Sequence, residues 1–594
     1  MFHFSFGPLL LSNDHVLFRL WAPLQQNVAL KIEGAQQREM QAVGDGWHYC
    51  KVTGAGAGTL YSFAMPSGQE VPDPGSRFQP RDVHGPSEVI DLSAHQWNCR
   101  NWQGRPWEEI VLYELHLGAF TQEGGFRAAI ERLDHLKQLG VTGLQIMPIS
   151  DFPGGYNWGY DGVLPYAPDS SYGRPEDFMA LVDAAHARGI CVFLDVVYNH
   201  FGPEGNYMPI YAPLFTEHHK TPWGNGVIYD GEGSRPVREF AIENAIYWIT
   251  QFQLDGLRLD AVHAINDNNR EHLLHELARR IREAVPARHV HLIVENEDNN
   301  SDLLRRDESG RAPLFTAQWN DDVHHVLHVA ATGETFGYYA DYVVGDRVNL
   351  GRALAEGFVF QGEHMPYRGK ERGKPSADLP PTAFISFIQN HDQIGNRAHG
   401  ERMITYRPPE AIRAVAAVYL LAPQIPMLFM GEEWATTEPF PYFCDFNEEL
   451  NENVRQGRRA ELSRLPGFDA EDLLDPTERS TFESAKLDWS RLSDSDRSLA
   501  LDFYRTLLEI RHQRIVPLLK EAGGASGTFR SQASAIAVDW NLAGGAKLHL
   551  LANLSDKTAS VEEQADGAEK IFSLGSVRGD SLAPWSVIWS ISQP

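Results

Sequence analysis

The chain has 594 residues, 43% of them apolar and 22% charged, which excludes a small binding module, a fibrous protein and a disordered one. Its formal net charge of −27 repels phosphate backbones and anionic lipid, which argues against nucleic acid and membrane surfaces as partners and favours a neutral or cationic ligand. Four scattered cysteines, Cys50, Cys99, Cys191 and Cys444, form neither a disulfide framework nor paired zinc-ligand spacing and read as free thiols in a reducing compartment. The first residues lack a cationic leader pattern and no run of about 18 apolar residues occurs. A cytoplasmic location is expected.

In chain order, short alternating or apolar runs (Val16–Trp21, Val28–Ile32, Trp47–Cys50, Leu60–Phe63) separated by turn residues predict a small β-sandwich over 1–91. A segment rich in proline and glycine, Val71–Pro86, and three tryptophans, Trp97, Trp102 and Trp107, mark a packed junction. The rhythm then becomes strand, loop, helix. Eight apolar runs follow: Ile110–Leu117, Val141–Met147, Ile190–Val197, Gly256–Leu259, Val290–Val294, Leu314–Trp319, Ala383–Ile388 and Pro426–Met430. A single amphipathic stretch is expected from Phe126 to Leu139, ended by Gly140, and a helix is expected to start at Pro175. Alternating β and α elements imply parallel strands, and eight of them fit a closed (β/α)₈ TIM barrel over 92–515. From about Thr528 the pattern returns to β, predicting a C-terminal β-domain within 516–594.

In such a barrel the reacting groups project from the C-terminal ends of strands. After the third run stand Asp195, Asn199 and His200; the fourth carries Arg258 and Asp260; the fifth ends in Glu295; the seventh runs into His391-Asp392. Arg258 and Asp260, two apart, share one face of a strand, where a guanidinium stabilises the negative charge a nucleophile needs. Taken singly, a strand-end Asp is a helix cap and an Arg beside an Asp is a structural ion pair. Their coincidence at one level of one barrel points to chemistry. Carboxylates without a metal-ligand cluster, serine elbow or phosphate loop suit glycoside hydrolysis, which needs two of them in distinct roles. The segment after His200 holds Phe201, Tyr207, Tyr211, Phe215, Trp223 and Tyr229, enough aromatic faces for sugar stacking or for pinning a long loop.

The segments DVVYNH, DGLRLDAVH, HLIVEN and FIQNHD, in that order, resemble the four signature regions of the α-amylase superfamily of glycoside hydrolases over roughly residues 108–515. The resemblance implies Asp260 as nucleophile, Glu295 as general acid/base and Asp392 as the third carboxylate. It also implies a sugar subsite shaped by Asp195, His200, Arg258 and His391, with Tyr160 of WGYDG as a stacking tyrosine. Finer features, WNDDVHH at Trp319–His325, GYYADY at Gly337–Tyr342, QNHDQIGNR at Gln389–Arg397 and the segment Met430–Asp445, resemble one branch of that superfamily. That branch hydrolyses the α-1,4 bond next to the terminal trehalose of maltooligosyl trehalose, downstream of a maltooligosyl trehalose synthase. On this basis Trp319, Asp321, Asp322, Glu433 and His263 are expected to touch substrate, with His263-Ala264 standing where many amylases have Lys-His. Asn199 matches a calcium ligand of secreted amylases without identifiable companion aspartates, and no metal or cofactor is expected. A glycogen branching enzyme and a non-catalytic glucan-binding protein are the alternatives.

Overall fold

The computed structural model describes residues 4–343, 346–463, 473–520, 522–532, 535–561 and 567–594. Near the N-terminus two antiparallel sheets face each other. One contains Leu9–Ser12, His15–Trp21, Gln41–Gly44 and Trp47–Thr53, and the other is built around Ala29–Ile32 and Leu60–Ala64. Val16, Phe18 and Leu20, at period two, enter the shared core with Leu30 and Phe63. The sandwich is tied to the central part of the chain: Ser5 donates to Glu243 through its backbone N–H (2.7 Å) and hydroxyl (2.8 Å), and the Arg77 guanidinium lies between the rings of Tyr166 and Tyr247.

All eight apolar runs form parallel strands and close into one barrel: β1 (Leu112–Leu115), β2 (Gly143–Ile146), β3 (Cys191–Val196), β4 (Gly256–Leu259), β5 (His291–Val294), β6 (Ala317–Trp319), β7 (Phe384–Ser386) and β8 (Ile425–Phe429). Alternation along each strand sorts the side chains. Leu112, Phe193, Ile293, Trp319, Ile385 and Met427 pack in the interior, while Tyr113, Leu144, Leu257 and Leu428 face the surrounding helices. The expected helix at Pro175 runs Pro175–His186, with Pro175 in its first turn and the Asp177 carboxylate accepting from the Arg174 N–H (3.0 Å). The stretch expected as one helix from Phe126 to Leu139 is two, Gly125–Ile130 and Leu133–Leu139. At the break Arg132 sets its guanidinium 4.7 Å from the Trp489 ring centroid, and Gly140, at φ +105°, ends the second piece.

The long segment after β3 contains a hairpin, Phe215–Thr221 with Gly224–Val227, whose tip carries Trp223. At the C-terminal end a five-stranded antiparallel sheet includes Ala535–Asn541, Lys547–Asn553 and Ser586–Ser592. It is pinned to the barrel's helical layer where Trp540 and Trp589 donate to the carbonyls of Leu354 and Ala417. Among the described residues no helix is long and apolar enough to cross a membrane.

Candidate active site

Four strand ends converge on one guanidinium. Arg258 is fully buried on β4, and its Nη1 donates to both oxygens of Asp195 on β3 (3.0 and 2.8 Å) and to Oδ1 of Asp260 immediately beyond β4 (2.7 Å). Its Nη2 lies 3.2 Å from Oε2 of Glu295, the residue after β5. The guanidinium therefore sits between Asp260 and Glu295 at the barrel mouth, hydrogen-bonded to the first and at ion-pair distance from the second. Beneath it the Trp319 ring lies 4.2 Å from the guanidinium carbon.

The two carboxyl groups of this pair live in different surroundings. Glu295 is pushed well above the usual carboxylate range, first by burial, with Arg258 opposing and the nearby Asp260, Asp392 and Asp321 adding to the rise. Its Oε2 accepts the N–H of Ala261 at 2.7 Å. Ala261 holds a left-handed φ of +40°, sparsely populated for a residue with a side chain, and this turn brings the N–H against Glu295. Asp260 keeps the guanidinium on one oxygen and accepts from the Asn199 amide on the other (3.3 Å). A protonated carboxyl beside a carboxylate paired with a cation can give a proton to a leaving oxygen while the second attacks carbon.

The remaining walls come from the loops. The Tyr160 hydroxyl donates to Asp195 (2.8 Å) and its ring stacks on His391, with centroids 5.1 Å apart. His200 reaches the Tyr160 carbonyl through Nε2 (3.0 Å) and carries the half-exposed Trp223 ring flat on its other face at 4.6 Å. Asp195 is pushed up to about 7, mainly by burial, with Arg258 working against it. Asp392 is the open member of the set, its side chain 44% exposed. Asp321 starts the helix Asp321–Thr332 and is raised to about 7 by burial, with Arg372 opposing and Asp322 and Asp392 adding to it. His263 accepts the Glu297 N–H through Nδ1 (3.3 Å) on the side of the mouth nearest Arg368.

Three expected substrate contacts are corrected by the structure. Trp319, 1% exposed, is a floor under Arg258, because its position on β6 turns it into the barrel interior. Asp322, adjacent to Asp321 but about 100° further around the helix, points into the protein. There it accepts from Arg372, the Tyr342 hydroxyl, the Asn299 amide and the backbone N–H of Val359. Glu433 is buried in the helical layer, bonded to the Tyr113 hydroxyl and His135, because the chain after β8 turns outward. Asp322→Ala strands the buried Arg372 charge and is expected to cost about 3–5 kcal/mol, read as a lowered urea midpoint; a midpoint equal to wild type rejects the hub.

One residue of the site escapes the sequence reading. Glu114 on β1 is completely buried, and its carboxylate accepts from Nδ1 of His391 (2.6 Å) and from the His391 backbone N–H (3.2 Å). Its signal is a single carboxylate inside the apolar run around Tyr113 and Leu115, a residue type that interiors accept only when paired. Among the described residues no group of three or more His, Cys, Asp or Glu is placed to hold a metal ion.

Comparison with known proteins agrees with this architecture. The family model for the α-amylase catalytic domain matches residues 82–211, and one for a domain of unknown function matches residues 523–589. The malto-oligosyltrehalose trehalohydrolase of Saccharolobus solfataricus is 42% identical over 505 residues, spanning 85% of this chain and 86% of that protein. That of Deinococcus radiodurans is 41% identical over 499 residues, spanning 84% and 81%. A crystal structure of a Salmonella typhimurium protein assigned to the alpha amylases superposes with a TM-score of 0.96 at 46% identity, covering 100% of both chains. The fold and the convergent carboxyl groups are those of a glycoside hydrolase. The chain belongs to the α-amylase family, in the branch that holds the malto-oligosyltrehalose trehalohydrolases.

Proposed function

We propose that the protein hydrolyses the α-1,4 bond next to the terminal trehalose unit of maltooligosyl trehalose, with retention, releasing trehalose and a shortened maltooligosaccharide. The observation that carries the chemistry is the Arg258 fork, which reaches Asp260 and Glu295 at once. Glu295 protonates the glycosidic oxygen while Asp260 attacks the anomeric carbon; water then opens the glycosyl-enzyme with Glu295 as base. Asp392 and His391 grip hydroxyls of the ring being transferred, and Tyr160, Asp195 and His200 wall it in. The choice of substrate is supported by the names of the relatives, which cover most of the chain. An enzyme that converts the reducing end of a maltooligosaccharide into trehalose must supply it. The four cysteines, all free, suit a cytoplasmic setting.

Incubation with maltooligosyl trehalose, followed by chromatography and by proton NMR of the first-formed anomer, tests the reading. Trehalose and an α-configured oligosaccharide are expected. New α-1,6 branches in amylose without trehalose release would identify a branching enzyme instead, and oligosaccharide binding without turnover would identify a glucan-binding protein.

A further inference from the structure

His391 is bracketed by two carboxyl groups. Nδ1 lies 2.6 Å from Oε1 of Glu114, and Nε2 lies 3.5 Å from Oδ2 of Asp392. Nδ1 is hydrogen-bonded to one carboxylate and Nε2 is at ion-pair distance from the other, and a ring between two negative groups is favoured as the imidazolium, which carries the opposite charge and an N–H on each nitrogen. Both hydrogen bonds of the Glu114 carboxylate come from His391, one from the ring and one from the backbone N–H. Burying a carboxylate at the centre of a barrel is costly without a matching charge. The two bonds fall on different oxygens, Oε1 from the ring and Oε2 from the backbone N–H, so a glutamine, with one accepting oxygen, cannot take both and a carboxylate is required there.

We propose that Glu114 is a positioning residue for the reaction: it holds the His391 ring doubly protonated and fixes its plane, so that Nε2–H is presented to Asp392 and to a hydroxyl of the bound sugar. This rests on the proposed placement of His391 in the sugar subsite. The ring cannot swing away, since Tyr160 stacks on one face and the Trp158 ring meets it edge-on at 5.3 Å. The titratable groups that face it are Glu114 from β1, His116 just beyond, Tyr160, Asp195 from β3, Arg258 from β4, and its neighbour Asp392. Burial, Arg258 and His116 disfavour charge on the ring, while Asp392 and Glu114 favour it. The balance raises His391 to about 9. Arg258 and His116 remain when Glu114 is made neutral, so the ring should then fall back toward the ordinary histidine range.

The test is a ring titration of His391 by ¹⁵N NMR in the full-length protein labelled at histidine, assigned by the signal lost in His391→Gln. A wild-type midpoint well above the ordinary value near 6.5 is expected, and Glu114→Gln should lower it by about two units. In parallel, kcat/KM for α-maltotriosyl fluoride, whose leaving group needs no proton from Glu295, should show its alkaline limb moving down by the same interval. A wild-type midpoint at or below the ordinary value overturns the proposal even if Glu114→Gln does not fold. An unchanged midpoint and limb in a folded Glu114→Gln, with activity merely lower at every pH, overturns it in favour of a structural role. Absence of fluoride hydrolysis by the wild type would remove the hydrolase reading while leaving the ring titration to decide the charge on His391.

Discussion

Asp260→Asn is expected to lower kcat on maltooligosyl trehalose by about 10⁴-fold or more, ~5.5 kcal/mol of barrier, because the atom that would bond to the anomeric carbon loses its charge. The same variant should fold. Arg258 keeps both oxygens of Asp195 and the nearby Glu295, so no buried cation is stranded, and one member of a crowded set of acids becomes neutral. The unfolding temperature is therefore expected to equal or exceed that of the wild type, a separation of activity from stability that active sites commonly allow. Turnover within tenfold of wild type in a correctly folded variant would reject Asp260 as the nucleophile.

Glu295→Gln should lower kcat/KM on the natural sugar leaving group by about 10²–10⁴-fold, the range that general acid catalysis supplies. On α-maltotriosyl fluoride the loss in kcat/KM should be less than about tenfold, since fluoride departs without a proton. The pH profile carries the sign. Burial raises Glu295 and its working form is the protonated one, so the wild-type rate on the sugar substrate is sustained at low pH and lost as pH rises through that raised value. The variant has no such proton to lose, so on the sugar substrate its alkaline limb should shift up to the one set by His391. Equal losses on both leaving groups would assign Glu295 a role other than proton donation.

The barrel was legible because buried parallel strands are apolar on both faces. Each of the eight runs stands out against its loops, and Arg258 and Asp260 share a face by the period of a strand alone. What the sequence conceals is direction at the ends of elements. Asp321 and Asp322 are neighbours in the chain, yet helical geometry sends one to the mouth and the other to Arg372. Glu433 follows a barrel strand as Glu295 does, but the chain there turns toward the helices. Trp319 is expected from the resemblance to touch substrate, but its place two residues from Ala317 on β6 assigns it to the interior. Glu114 was hidden for the opposite reason: its partner His391 lies 277 positions away, and nothing local announces the pair.

The shared guanidinium has a consequence for inhibition. Asp195, Asp260, Glu295 and Asp392 outnumber the cations within their reach, and Arg258 is already divided among three of them. A resting glucan brings no charge to correct the shortage, but an oxocarbenium-like ring does, at the moment the bond is breaking. The pocket thus resembles a socket wired for a positive charge its own substrate lacks, and protonated iminosugars, which carry that charge permanently, are the small molecules it should hold most tightly.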